Sequence, residues 1–196
     1  MIRAFALAVL TACTLAAAAI LVSSAQAAPV KEADRIGIDL RRTTLVVRDM
    51  EASLRFYRDA LGLKVTYDNV IRTPRTAKDD ASAERSLRLV FLRANDDYVG
   101  QIGLMQYTKP VRTPRPAKSG DLSPGDIVLV FNTKGLAEKF EKAKAMGVQV
   151  DEAPHPTTYP SYDGKGVINV MFSAFYDPDG HYVEVNEVLD GLPMTR

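Results

Sequence analysis

The apolar residues of RRTTLVVRDM, residues 41–50, fit a strand, and the period then changes to that of one helical face in EASLRFYRDALG, with Leu54, Tyr57 and Leu61 in register. Asp49 stands where free backbone N–H groups need an acceptor, and Gly62 stands where a helix ends in a left-handed conformation. Three strands are predicted next, at LKVTYDNV (63–70), SLRLVFLR (86–93) and GQIGLMQY (100–107). The unit is one strand, one helix and three strands.

TKPVRTPRPAKSGDLSPG interrupts this pattern and reads as a linker, after which the order restarts. DIVLVF (126–131) is a strand, GLAEKFEKAKAMG (135–147) a helix with Thr133 as its candidate cap, and VQV a short strand. Two last strands, GVINVMFSAFYD and HYVEVNE, are joined by Asp177-Pro178-Asp179-Gly180, the residue order of a type I turn. At an offset of about 84 residues DIVLVF lies over RTTLVV and Phe140 over Phe56, so the chain reads as an internal duplication.

Ahead of the duplication, Arg3 precedes a long apolar run ending in Ala25-Gln26-Ala27, which predicts a secretory signal cleaved after Ala27. An uncleaved anchor and a lipid attached at Cys13 are the alternatives. The expected organisation is a signal peptide (1–27), an arm (28–40), a first module (41–107), a Pro-rich linker (108–123) and a second module (124–190). The expected location is the periplasm or the outside of the cell, with no stable membrane insertion after cleavage.

Cleavage removes one of the 25 Lys and Arg residues, leaving 24 against 24 Asp and Glu. A neutral chain lacks the basic excess that nucleic acid binding needs. The one cysteine lies in the leader, so the exported part has neither disulfide nor thiolate. No Gly-rich phosphate loop, His-Glu-x-x-His helix, Gly-x-Ser-x-Gly elbow or sustained heptad is present.

TTLVVRDMEASLRFYRDALGLKV and FYDPDGHYVEVNE, in that order and at that separation, resemble the vicinal oxygen chelate superfamily, which takes in glyoxalase I, extradiol dioxygenases and bleomycin-resistance proteins. The resemblance runs from about Arg41 to Val188. It implies an α+β fold, two βαβββ modules forming a curved mixed sheet around a shared cavity. Alternation supplies a separate expectation: Val183 and Val185 pack under a helix, so Tyr182, Glu184 and Asn186 face the other way. In DIVLVF the same parity turns Ile127, Leu129 and Phe131 to the helix, and Asp126, Val128 and Val130 to the cavity.

The resemblance also implies four metal-holding positions, which fall on Arg42, Gly103, Asp126 and Glu184. Only Glu184 keeps the family's usual residue. A guanidinium donates hydrogen bonds and cannot ligate a metal, and Gly103 has no side chain. No tightly bound cofactor is therefore expected, with Arg42 in the metal's place as the counter-charge to a carboxylate. The alternative is a weakly held magnesium or manganese ion on Asp126 and Glu184, because hard cations favour oxygen; zinc and iron normally want more ligands.

His155, Tyr159 and Tyr162 lie in DEAPHPTTYPSYDGKG, read as a polar loop that either lines a cavity mouth or is ordinary surface. His181 has the helix-side parity and reads as an edge residue. IRTPRTAK (71–78) and VRTPRPAK (111–118) are near copies, either a basic rim or two solvated loops. The functional expectation is an exported protein binding a small organic molecule through Arg42, Asp126 and Glu184, whose catalytic activity is open. In a reaction Glu184 is the candidate base, which requires burial or a nearby carboxylate to raise its proton affinity. A metal-dependent lyase or isomerase and an envelope protein-interaction module are the alternatives, and a homodimer is left open.

Overall fold

The computed structural model describes residues 32–116, 120–161 and 166–189. The leader with Cys13, and Tyr162, lie outside the described residues. A single 3-10 turn at Glu32–Asp34 precedes the first module. That module comprises β1 (Arg42–Val46), α1 (Met50–Leu54, continued by a π-helical stretch, Arg55–Ala60), β2 (Lys64–Thr73), β3 (Arg85–Arg93) and β4 (Gln101–Lys109). The second comprises β5 (Val128–Thr133), α2 (Leu136–Ala145), β6 (Gln149–Pro160), β7 (Val167–Tyr176) and β8 (Tyr182–Val188).

Each module forms a four-stranded mixed sheet, in the orders β1-β4-β3-β2 and β5-β8-β7-β6. The first and last strands of a module run parallel, and the other pairs are antiparallel. The architecture is that of two βαβββ modules. One face of each sheet feeds a common core: Leu45, Val90, Leu92 and Leu104 from the first and Leu129, Phe175, Val183 and Val185 from the second join Phe56, Tyr57, Leu136 and Phe140 of the helices. Phe175 meets Phe56 edge-on with centroids 6.2 Å apart and Phe140 at 5.3 Å. By strand alternation the opposite faces, called inner here, point away from this core.

The helix ends follow local chemistry in one case and distant chemistry in the other. Asp49 caps α1 by accepting from the N–H groups of Glu51 and Ala52, and Gly62 follows the helix at φ 87°, which L side chains rarely adopt. For α2, Thr133 is not the cap; it ends β5, and Gly135 holds the cap position. The Glu187 carboxylate, arriving from β8, accepts from Gly135 N (2.9 Å) and Leu136 N (3.0 Å). These contacts hold its proton affinity below the ordinary range.

The Asp177–Gly180 turn closes as expected, with Gly180 N donating to Asp177 O, and it also clamps the modules together. The buried Asp177 carboxylate accepts from Tyr57 Oη at 2.8 Å and from the N–H groups of Asp179 and His181. His181 Nδ1 lies 3.0 Å from it. Asp179 accepts from both the backbone N–H and the Nε of Arg48. His181 is thus a partner of the turn as well as an edge residue.

Two loops read as separate features lie at one end of the first sheet. Thr73 pairs with Arg85 and Ser86 with Lys109, so the ends of β2 and β4 flank the start of β3. Lys109 Nζ donates to the carbonyls of Asp80 and Ala81 in the β2–β3 connection. Arg72 is held by Asp80 at 2.9 Å, which removes it from a free basic rim.

Candidate functional site

On the first sheet, Thr44 stands opposite Gly103, Gly103 opposite Phe91, and Phe91 opposite Tyr67, so one row crosses all four strands on the inner face. Arg42 has the same parity as Thr44 and reaches over Gly103. A Cβ added at Gly103 would lie 2.6 Å from Thr44 Oγ1 and 3.0 Å from Arg42 Cδ. The glycine therefore makes the slot that the arginine fills. Arg42 Nε donates to Thr44 Oγ1 at 3.1 Å, and the guanidinium carbon lies 3.6 Å from the centroid of the Phe91 ring, which stacks on Tyr67. Burial, then the charge of Arg41, lowers the proton affinity of Arg42, and among the described residues no carboxylate offsets them.

On the second sheet, Glu184, Tyr182 and Asn186 face inward, as alternation predicted, while Val183 and Val185 are in the core. Around them an apolar cluster of Val170, Phe172, Ala174, Tyr176 and Tyr182 covers the inner face. Burial raises the proton affinity of Glu184, Asn186 opposes this by hydrogen bonding, and the charge of Glu152 raises it further. Tyr159 is pushed up by burial, Glu184 and Glu152. The His155 ring lies 5.3 Å from that of Phe172, with Nε2 3.5 Å from the Glu152 carboxylate and Nδ1 3.0 Å from the Ala153 carbonyl. Glu184, Tyr159 and His155 thus gather around one acidic residue, Glu152.

DEAPHPTTYP is not a loop but most of β6, a twelve-residue strand. Its prolines are tolerated because β6 is the sheet's edge, where one side of the strand needs no ladder donors. Register irregularities between Val150 and His155 re-aim its side chains.

The charge of Asp126 acts on Tyr176 of the inner cluster and is not among those acting on Glu184. Asp126 precedes β5 in a turn, where its N–H donates to Ser123 O and its carboxylate accepts from Ser123 N at 2.7 Å. Arg42 is opposite Gln101, two residues before Gly103; the residue opposite Tyr182, two before Glu184, is Val128. Relative to Glu184, then, Val128 occupies the place that Arg42 occupies relative to Gly103. Nor is Arg42 the counter-charge to Glu184 or Asp126 within one chain. The charges acting on Arg42 and Glu184 are those of Arg41 and Glu152.

This donor set does not fit the family's metal. The first sheet offers a guanidinium and a glycine, Asp126 is committed to a turn, and Glu184 stands opposite Val130. Among the described residues no group of three or more His, Cys, Asp or Glu side chains is placed to hold an ion. A cleft of about 290 Å³ lies elsewhere, at the module junction between Leu61, Asn95, Phe131 and Lys139, and contains none of the candidate residues.

Glu152, Asn186, Phe172 and Tyr182 were missed as site residues. Asn186 was within reach of sequence reasoning, two residues from Glu184 on one strand face. Asn186 is 5% exposed and its side-chain oxygen has no partner among the described residues.

The sequence model of the Glyoxalase/Bleomycin resistance protein/Dioxygenase superfamily matches residues 39–185. A glyoxalase family protein from Bacillus cereus superposes with a TM-score of 0.61 at 11% identity, covering 81% of this chain and 99% of that one. An integron cassette protein from Vibrio cholerae gives 0.44 at 23% identity over 76% and 94% of the two chains. The Listeria monocytogenes fosfomycin resistance protein, solved with Mn(II) and a dihydroxypropylphosphonic acid, gives 0.45 at 17% over 77% and 92%. No curated protein matches the chain.

Proposed function

This chain belongs to the glyoxalase/bleomycin resistance protein/dioxygenase superfamily, and from that premise we propose that it is an exported binder of a small organic molecule, held on the inner face of the second sheet without a tightly bound metal. The observation that carries this reading is Glu184: a half-buried carboxylate with no cation partner among the described residues, bordered by Tyr159, Tyr182 and Glu152. A partly buried charge without a partner costs stability, and such groups concentrate at functional sites. The aromatic side chains beside it offer flat apolar contact.

Catalysis is a second reading, and a specific observation favours it. The raised proton affinity of Glu184, due first to burial, moves it toward the range of a general acid or base. The metal-dependent lyase reading loses support, because Arg42 and Gly103 supply no ligand and Asp126 is held by Ser123. The interaction-module reading has Val130 and Tyr159 as exposed apolar residues on the same face.

Native mass spectrometry of protein purified from its own envelope tests the proposal. The expected spectrum shows a chain beginning at Ala28 with an organic adduct that Glu184→Gln loses, and it also reports whether two copies associate. One firmly held metal ion per chain, or an intact leader, overturns the corresponding part.

A further inference from the structure

We propose that the inner face of the first sheet is a second ligand site, in which Arg42 receives the carboxylate of a small organic anion whose flat apolar body lies against Phe91, Leu89 and Met105. It goes beyond the binding reading for Glu184, since it concerns another sheet and the opposite charge.

Five arginines of the first module, Arg41, Arg42, Arg55, Arg75 and Arg85, have no ion pair among the described residues, and of these Arg42 is the one fixed both by a hydroxyl, on Thr44, and by a ring, on Phe91. Arg48, Arg58, Arg72, Arg88 and Arg93 are each held by an aspartate or glutamate at 2.6–2.9 Å. Arg42 has no such partner among the described residues, and its one hydrogen bond uses Nε. A guanidinium carries five N–H donors in a plane. Here Nε is anchored on Thr44 and the plane is supported by Phe91 at 3.6 Å, leaving the Nη groups to present the fork that suits a carboxylate.

The slot beneath the arginine points the same way. Gly103 removes the side chain that would displace it, so its pose is built in by the backbone. Along the same face Leu89 stands opposite Met105, both half-buried, and Val46 is 54% exposed. The surface is a cation at one end of an open apolar strip. That composition selects against cations and strongly hydrated small anions. It favours a carboxylate joined to a planar hydrophobic group.

The test is titration of the ¹⁵N-labelled protein with 2-naphthoate and with its neutral isostere 2-naphthamide, at low and high salt. Naphthoate is expected to bind at least about tenfold more tightly than the amide, the factor that about 1.4 kcal/mol of charge recognition gives. Its shifts should centre on the amides of Thr44, Phe91 and Gly103, and the preference should shrink in high salt. Arg42→Gln should equalise the two probes, whereas Arg58→Gln, at a pair remote in function, should leave the preference intact.

Equal affinity of the parent for acid and amide overturns the site, as does a preference that survives in folded Arg42→Gln. If that variant does not fold, the parent's shift map decides. Shifts centred on Tyr182 and Glu184 overturn the anion site while leaving the binding face of the second sheet standing. Shifts absent because a second copy covers Arg42, seen as a dimer by sedimentation, overturn it also.

Discussion

The two sheets repeat one architecture, yet their inner faces carry opposite charges at related places. On the first, Arg42 is large and cationic and the neighbouring strand has shrunk to Gly103 beneath it; on the second, Glu184 is retained and the neighbour in the corresponding place is Val128. A metal site would need ligands from both halves. At these positions each half keeps one charged group without its complement, and only the group on the first sheet is compensated. Arg42 rests on an aromatic ring and binds Thr44, whereas Glu184 is opposed by the charge of Glu152. A duplication thus need not preserve a site symmetrically: what survives is the strand parity, and the chemistry on it diverges.

The comparison depends on both sheets belonging to one body, so the largest effect should come from cutting the clamp between them. Asp177→Ala removes the acceptor of Tyr57 and of two backbone N–H groups. A loss of about 3–5 kcal/mol is expected, as for removing one partner of a buried ionic network. Burial pushes Asp177 up, but hydrogen bonds and charge from His181 and Tyr57 outweigh it and leave the carboxyl below its ordinary range. The stability it contributes is present above the unfolded carboxylate range and is lost as pH falls through the depressed folded value. Thermal melts of parent and variant should converge on acidification; a constant gap down to pH 3 would refute this role for the carboxylate.

Gly103→Ala attacks the first face alone. Its Cβ would stand 2.6 Å from Thr44 Oγ1 and 3.0 Å from Arg42 Cδ, so both side chains must shift, at a cost of about 1–3 kcal/mol from overpacking. Denaturant titration should show that loss, and Gly103→Ala combined with Thr44→Gly should recover part of it. An unchanged midpoint in the single variant would mean that Arg42 is not seated over the glycine.

Legibility followed the range of the interactions. Asp49 as a cap, Gly62 as a stop and the inward face of Glu184 were readable because each depends on a few neighbouring residues. The place of Asp126 was not. The offset between modules is clear over the helices, whereas the pairing of β5 with β8 is set two residues differently from that of β1 with β4. Such a shift preserves parity, so hydrophobic alternation cannot detect it. Three prolines made β6 look like a loop, since nothing local says that a strand lies at an edge. The cap on α2 and the clamp at Asp177 join residues about 50 and 120 positions apart, beyond any local motif.

Arg42→Met keeps an apolar stem on Phe91 and deletes the cation. About 0.5–1 kcal/mol should be lost with the cation–π contact, diminished by relief of repulsion from Arg41. A double-mutant cycle with Phe91→Leu would isolate the term. Strict additivity would show that the ring does not support the guanidinium.

Glu184→Gln should have the smallest effect and the opposite sign. Burial and the charge of Glu152 raise the proton affinity of Glu184 in the folded protein, so the folded state binds this proton more tightly than the unfolded chain does. Stability is then greatest below the unfolded glutamate range and falls as pH rises through the raised folded value. Glutamine removes that decline while still able to hydrogen-bond Asn186. At neutral pH the variant should be slightly more stable than the parent, by under about 1 kcal/mol because the group is partly exposed and screened. Below the glutamate range the two melts should coincide or reverse order. A variant less stable than the parent at neutral pH would mean that the carboxylate is compensated by a partner, and the contrast between the two inner faces would reduce to one of residue type without energetic content.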